Sequence, residues 1–120
     1  MSSRIVYTFI ASGTLPNSDT EVDGYRVALR NLTIVKVIAS LVSTGSAGSS
    51  IIDINLNGTT IFTTQANRPT VLYNDADKYD EKIPDVTSIS AGDKLSMDID
   101  QRATNAQDLT VEVICKPRRV

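Results

Sequence analysis

An Asn-Gly pair at positions 57–58, set between two β-rich runs, is the tightest constraint in this sequence. A two-residue type I′ turn needs φ > 0 at both central positions, and Asn and Gly tolerate that best. Before the pair, residues 51–56 (IIDINL) put Ile52, Ile54 and Leu56 on one side and Asp53 and Asn55 on the other. A period of two reads as a strand with one dry and one wet face. Residues 59–64 (TTIFTT) supply the returning arm. The chain closes here as an antiparallel hairpin.

The remaining segments carry the same signals. Residues 4–11 (RIVYTFIA) form a β-branched and aromatic run, and residues 25–29 follow an Asp23-Gly24 turn. Residues 33–43 (TIVKVIASLVS) make the longest apolar run, where β-branched density favours strand over helix. Strict alternation groups Val35, Val37, Ala39 and Leu41 on one face. It leaves Ile34, Lys36, Ile38, Ser40 and Val42 on the other. Because Ile34, Ile38 and Val42 give that second face apolar character, a neighbouring subunit or a crossing loop is expected to cover it. Residues 65–73 read as extended and non-helical around Arg68-Pro69, and residues 74–81 (NDADKYDE) as an acidic loop. After a short strand at 86–90, residues 94–100 alternate Leu95, Met97 and Ile99 with Lys94, Ser96, Asp98 and Asp100. Residues 109–116 turn Leu109, Val111, Val113 and Cys115 inward. About eight short strands, turn signals every 8–12 residues and no amphipathic helix predict an antiparallel β-sandwich of jelly-roll type.

Length and composition fit one domain over residues 1–120. A chain of 120 residues buries about two-thirds of its unfolded surface, and 41% hydrophobic residues can fill such a core. The run from Met1 carries no tag or linker, which leads to the expectation of a complete gene product. No apolar stretch approaches a signal peptide or a membrane span, so synthesis in a cytosol and no membrane partner are expected. A single cysteine cannot form an intrachain disulfide. The net charge of −2 and pI near 4.9 argue against nucleic acid as the main partner. The one basic cluster is terminal, Lys116, Arg118 and Arg119, and reads as a solvated tail or a contact arm for an acidic partner.

Catalytic material is sparse. The sequence holds no histidine, which removes the commonest general base and zinc ligand. It has no G-x-S-x-G turn, P-loop or dinucleotide fingerprint. Asp53, Asp98 and Asp100 could pair as hydrolytic carboxylates, but alternation places them outward, where such groups are solvated. Asp75, Asp77, Asp80 and Glu81 offer oxygen ligands for calcium. In that frame the sixth position is Asp80 in place of glycine, and no glutamate stands at the twelfth. Tyr7, Tyr25, Tyr73 and Tyr79 would bind a glycan only if clustered on one exposed face. No catalytic, cofactor or metal site is expected.

Residues 45–64 (GSAGSSIIDINLNGTTIFTT) followed by Arg68-Pro69-Thr70 resemble a β-module of tailed-bacteriophage virion proteins. Residues 91–101 (AGDKLSMDIDQ) and the closing 108–113 (DLTVEV) extend the resemblance over much of 33–116, while 12–27 is less like it. In that group the module occurs in fibre and receptor-binding proteins and in small head-surface proteins. The resemblance implies a structural role on the particle and no enzyme. A complete 120-residue chain leaves no sequence for a fibre shaft, which favours a capsid decoration (cement) protein on the capsid surface, made in the host cytoplasm. Its partner would be the major capsid protein, with a homotrimer around a local threefold axis. The alternative is a tail-fibre tip that recognises a host-surface glycan. Candidate oligomer or capsid contacts are Ile34, Ile38, Val42, Arg118 and Arg119.

Overall fold

A computed structural model describes residues 3–119. Ten strands run in chain order, and all pair antiparallel. They are β1 (Ile5–Thr14), β2 (Tyr25–Val27), β3 (Leu32–Ser43), β4 (Ser49–Leu56) and β5 (Thr59–Thr60). Then come β6 (Thr70–Leu72), β7 (Tyr79–Lys82), β8 (Ser88–Ile89), β9 (Lys94–Gln101) and β10 (Gln107–Pro117). A first sheet has the order β1-β10-β3-β7, with β8 also pairing β3. A second has the order β2-β9-β4-β5, with β6 also pairing β4. From β1 to β4 the chain changes sheet at every strand, a pattern compatible with a jelly roll. No helix among the described residues is long and apolar enough to cross a membrane.

The antiparallel sandwich read from the sequence is present, with ten strands in place of eight. The additional ones are β6 and β7. The YDEK segment carries no β signal of its own, and β7 lies within the stretch expected to be an acidic loop. It becomes a strand because Val37–Ser40 of β3 offers it an open ladder. Conversely, the arm expected over 59–64 pairs for only two residues. Ile61 and Phe62 leave the ladder for the core, where both are fully buried. The Asn57-Gly58 turn is as expected, with φ of 52° and 83°. Asn57 also ties it to β9: its Oδ1 accepts the Lys94 N–H at 3.0 Å and its Nδ2 donates to Asp93 Oδ1 at 3.0 Å.

One apolar cluster fills the space between the sheets, with Phe9 and Phe62 its largest members. The alternating residues of β9 and β10 face it as expected, Cys115 included. β3 departs from the expectation. Cys115 pairs with Ile34 and Ile114 with Lys36, so Val35 is an extra residue in the ladder, a β-bulge. The bulge reverses the phase of the strand. Leu32 and Ile34 face the core before it, and Val37, Ala39 and Leu41 face it afterwards. Ile34, expected on the outer face as a contact residue, is therefore a core residue with 3% exposure. Val35 leaves the inner set.

Gly45 joins β3 to β4 at a φ of +97°, and a Cβ there would collide with the Thr104 backbone oxygen. Gly48 has a φ of +79° with open space around it. An alanine at either site carries a left-handed penalty of about 1–2 kcal/mol. Gly45→Ala must also displace backbone, adding about 1–3 kcal/mol. Urea denaturation should therefore show a clearly larger loss for Gly45→Ala than for Gly48→Ala, and equal losses would contradict this packing. Burial pushes the Cys115 thiol up to about 11. At pH 8 the native protein should react with iodoacetamide far more slowly than the urea-unfolded chain, because the thiolate is the nucleophile.

Candidate interaction surface

The two sheets present unlike outer faces. On the second sheet Asp98 stands opposite Asp53, and Ser96 stands between Asn55 and Tyr25. The register thus gathers Asp53 and Asp98 with Asp100 on one face, which alternation alone did not reveal. Each carboxylate is already engaged. Asp53 accepts from the Ile54 N–H at 2.8 Å and the Thr60 hydroxyl at 2.6 Å. Asp98 accepts from the Glu21 N–H at 3.0 Å and Asn55 Nδ2 at 2.8 Å. Arg68 pairs with Asp100 at 2.6 Å. Burial raises the Asp100 carboxyl above its ordinary pKa, while Arg68 pulls the other way. Asp53 was expected to be solvated and is instead 6% exposed, because Thr60 of β5 and Gln65 in the segment after it fold over it.

The other sequence candidates separate in space. In the acidic stretch Asp75 accepts the Asp77 N–H, Asp80 accepts the Thr70 N–H, and Glu81 pairs with Lys36 at 2.9 Å. No group of three His, Cys, Asp or Glu among the described residues is placed to hold a metal ion. Tyr25 lies on the second sheet, with Lys94 Nζ 5.0 Å from its ring centroid, and Tyr79 lies on the first. They share no platform. Arg118 is drawn back onto the fold: its side chain donates to the Leu32 and Ile89 carbonyls at 3.3 and 2.8 Å. Arg119 is exposed.

The outer face of the first sheet is built of mixed rows. Val6, Ile114 and Lys36 stand side by side, as do Thr8, Glu112, Ile38 and Glu81. Ile10, Thr110, Ser40 and Tyr79 form the next row. Ile10 is 52% exposed, and Val42 near the end of β3 is 68% exposed. Ile38 and Val42 thus lie on this face as the alternation of β3 predicts. The sequence reading did not single out Val6, Ile10 and Ile114. Their signal was apolar residues at the outward positions of β1 and β10, but it has meaning only once those strands flank β3. At the bulge a shallow depression of about 320 Å³ opens between Val35, Lys36, Glu81, Lys82 and Ile83.

The free edge of β1 is blocked. Asp23 Oδ2 accepts the Ile10 N–H at 2.9 Å, and Arg26 donates to the Thr8 carbonyl at 2.9 Å while pairing with Asp23 at 3.0 Å. Side chains occupy the groups that another strand would pair with, which disfavours edge-to-edge association. Contact through the flat of the sheet does not use that edge. Three strands of 10, 11 and 12 residues and the four-residue β7, about 4.8 Å apart and rising about 3.3 Å per residue, give a face of roughly 600 Å², of the order of one partner's share of a stable interface.

Fold and face together define the chain as a small antiparallel β-sandwich with one polar and one partly apolar outer surface. Its fold is similar to that of a chain in the capsid of Ralstonia phage GP4, with a TM-score of 0.55 and 10% identity. That match covers 98% of this chain and 86% of the other. A chain in the acid-stable capsid of Helicobacter pylori bacteriophage KHP30 is similar at a TM-score of 0.55 and 15% identity, covering 97% and 93% of the two chains. No protein-family model and no curated protein matches the sequence.

Removing the buried carboxylate with Asp53→Ala strands the Ile54 N–H and the Thr60 hydroxyl. It should cost about 2 kcal/mol in urea denaturation. A loss below about 0.5 kcal/mol would mean that Asp53 does not organise the loop after β5.

Proposed function

We propose that this chain is a structural protein of a bacteriophage particle, a capsid decoration (cement) protein that bridges and stabilises neighbouring major capsid subunits. The observation that most supports this is that both phage-capsid chains are similar to it over nearly its whole length. The partly apolar outer face of the first sheet is what such a role needs. The protein acts by contact and not by catalysis. Copies associate through that face into a closed trimer, the symmetric form that homo-oligomers commonly take. Repeated over a shell, many modest contacts add by avidity and hold neighbouring subunits together. A glycan-binding tip would call for aromatics gathered on one face, whereas Tyr25 and Tyr79 stand on opposite sheets.

Quantitative mass spectrometry of purified particles tests this directly. Decoration predicts a copy number in the hundreds, stoichiometric with the shell protein. A few copies per particle would move the chain to the tail or a vertex. In solution, Ile38→Asp should give a monomer that keeps the wild-type circular-dichroism spectrum but melts at a lower temperature, because Ile38 lies on the outer face, where the new carboxylate stands between Glu112 and Glu81. A variant that keeps the wild-type oligomeric state by light scattering would overturn the face as the subunit contact.

A further inference from the structure

The net charge conceals a separation along the molecule. β1 and β3 begin, and β10 ends, at one end of the sandwich, where the β2–β3 and β8–β9 connections also lie. Arg4, Arg30, Lys94, Lys116, Arg118 and Arg119 belong to that end, half of the twelve cationic residues in the sequence. Among the described residues the carboxylate there is Asp93, which already accepts the Ser90 N–H at 2.8 Å and Asn57 Nδ2 at 3.0 Å. The opposite end carries Asp19, Asp75, Asp77 and Asp108 against Lys78 and Arg102. The molecule is 46 Å long, several times the Debye length of about 8 Å in physiological salt. A partner at one end therefore responds to that end and not to the sum.

Leu29 lies at the cationic end, in the β2–β3 connection. It is 88% exposed, the most exposed large apolar side chain among the described residues. The backbone on both sides of it is fixed. Ala28 is buried and exchanges hydrogen bonds with the β8–β9 connection: its N–H donates to Asp93 O at 2.8 Å and its carbonyl accepts from Gly92 at 2.7 Å. Asn31 accepts from the Arg118 N–H through its carbonyl at 3.0 Å and from the Ala91 N–H through Oδ1 at 2.9 Å. A leucine held out on an anchored loop, with Arg30 beside it, is a preorganised apolar anchor within a charged rim, the anatomy of a protein contact. Phosphates of a nucleic acid would engage the cations and leave the leucine in water.

We infer that this end docks on an acidic protein surface of a neighbouring shell subunit, with Leu29 entering an apolar pocket and Arg30, Lys116 and Arg119 facing carboxylates around it. The inference rests on the virion reading and names the partner surface. A second copy is the poorer occupant. The basic and acidic ends lie at opposite ends of the molecule, so head-to-tail pairing would stack copies into an open filament.

The test uses shells assembled from the source phage's major capsid protein without this chain, titrated with the purified protein at several NaCl concentrations. Wild type should bind, less tightly as salt rises. Leu29→Asp and the double variant Arg30→Glu/Arg119→Glu should bind at least about tenfold more weakly with unchanged melting temperatures, since all three side chains are exposed. Wild-type failure to bind would overturn the virion reading together with this inference. Undiminished binding by Leu29→Asp would overturn the docking end alone. So would filaments of wild type that Leu29→Asp abolishes, which assign the end to a second copy. Retention of labelled duplex DNA that depends on the arginines and not on Leu29 would likewise overturn it.

Discussion

The pairing of β3 with β10 is the contact on which the rest of the molecule depends. These are the longest strands, they occupy the middle of the first sheet, and β1, β7 and β8 attach to them. Within the pair one extra residue, Val35, decides which side chains become core. Before it the buried positions are even-numbered and after it they are odd-numbered. A single apolar run thereby contributes to two surfaces. It gives Leu32, Ile34, Val37, Ala39 and Leu41 to the interior while leaving Ile38 and Val42 outside. Without the bulge one half of β3 would turn its apolar residues to solvent, since a one-residue slip exchanges the faces of a strand.

The faces divide tasks that commonly conflict. On the second sheet, polar side chains answer one another across strands, so that Asp53, Asp98 and Asp100 serve to hold loops in place. On the first sheet, apolar residues alternate with Lys36, Glu81 and Glu112, which keeps the face water-compatible. The Asp23–Arg26 pair protects the edge of β1 against pairing with another strand. Charge is separated in a third direction, along the length of the molecule.

Much of the sandwich is legible in the sequence because its long strands carry period-two patterns and its hairpin carries Asn57-Gly58. Those are local signals, read from a few neighbours. What was illegible depends on partners far along the chain. β7 exists only because β3 offers it an edge, and Asp53 is buried only because Thr60 of β5 and Gln65 beyond it return over it. The misplacement of Ile34 has the same origin, since a bulge is a property of a pair of strands and alternation in one strand cannot reveal it. Of the candidate contacts, Ile38 and Val42 were found by alternation. Val6, Ile10 and Ile114 needed the strand order, and the cationic end needed the topology that brings Arg4 and Arg30 beside Lys116.

The central claim is that the outer face of the first sheet is a contact surface on an assembled particle. Carbene footprinting of the chain, free as the Ile38→Asp variant and in purified particles as wild type, tests it most directly. The account predicts that Val6, Ile10, Ile114 and Tyr79 label in the free variant and are protected in the particle, while Tyr25 on the opposite sheet changes little. Equal labelling of the first-sheet residues in both states would contradict it.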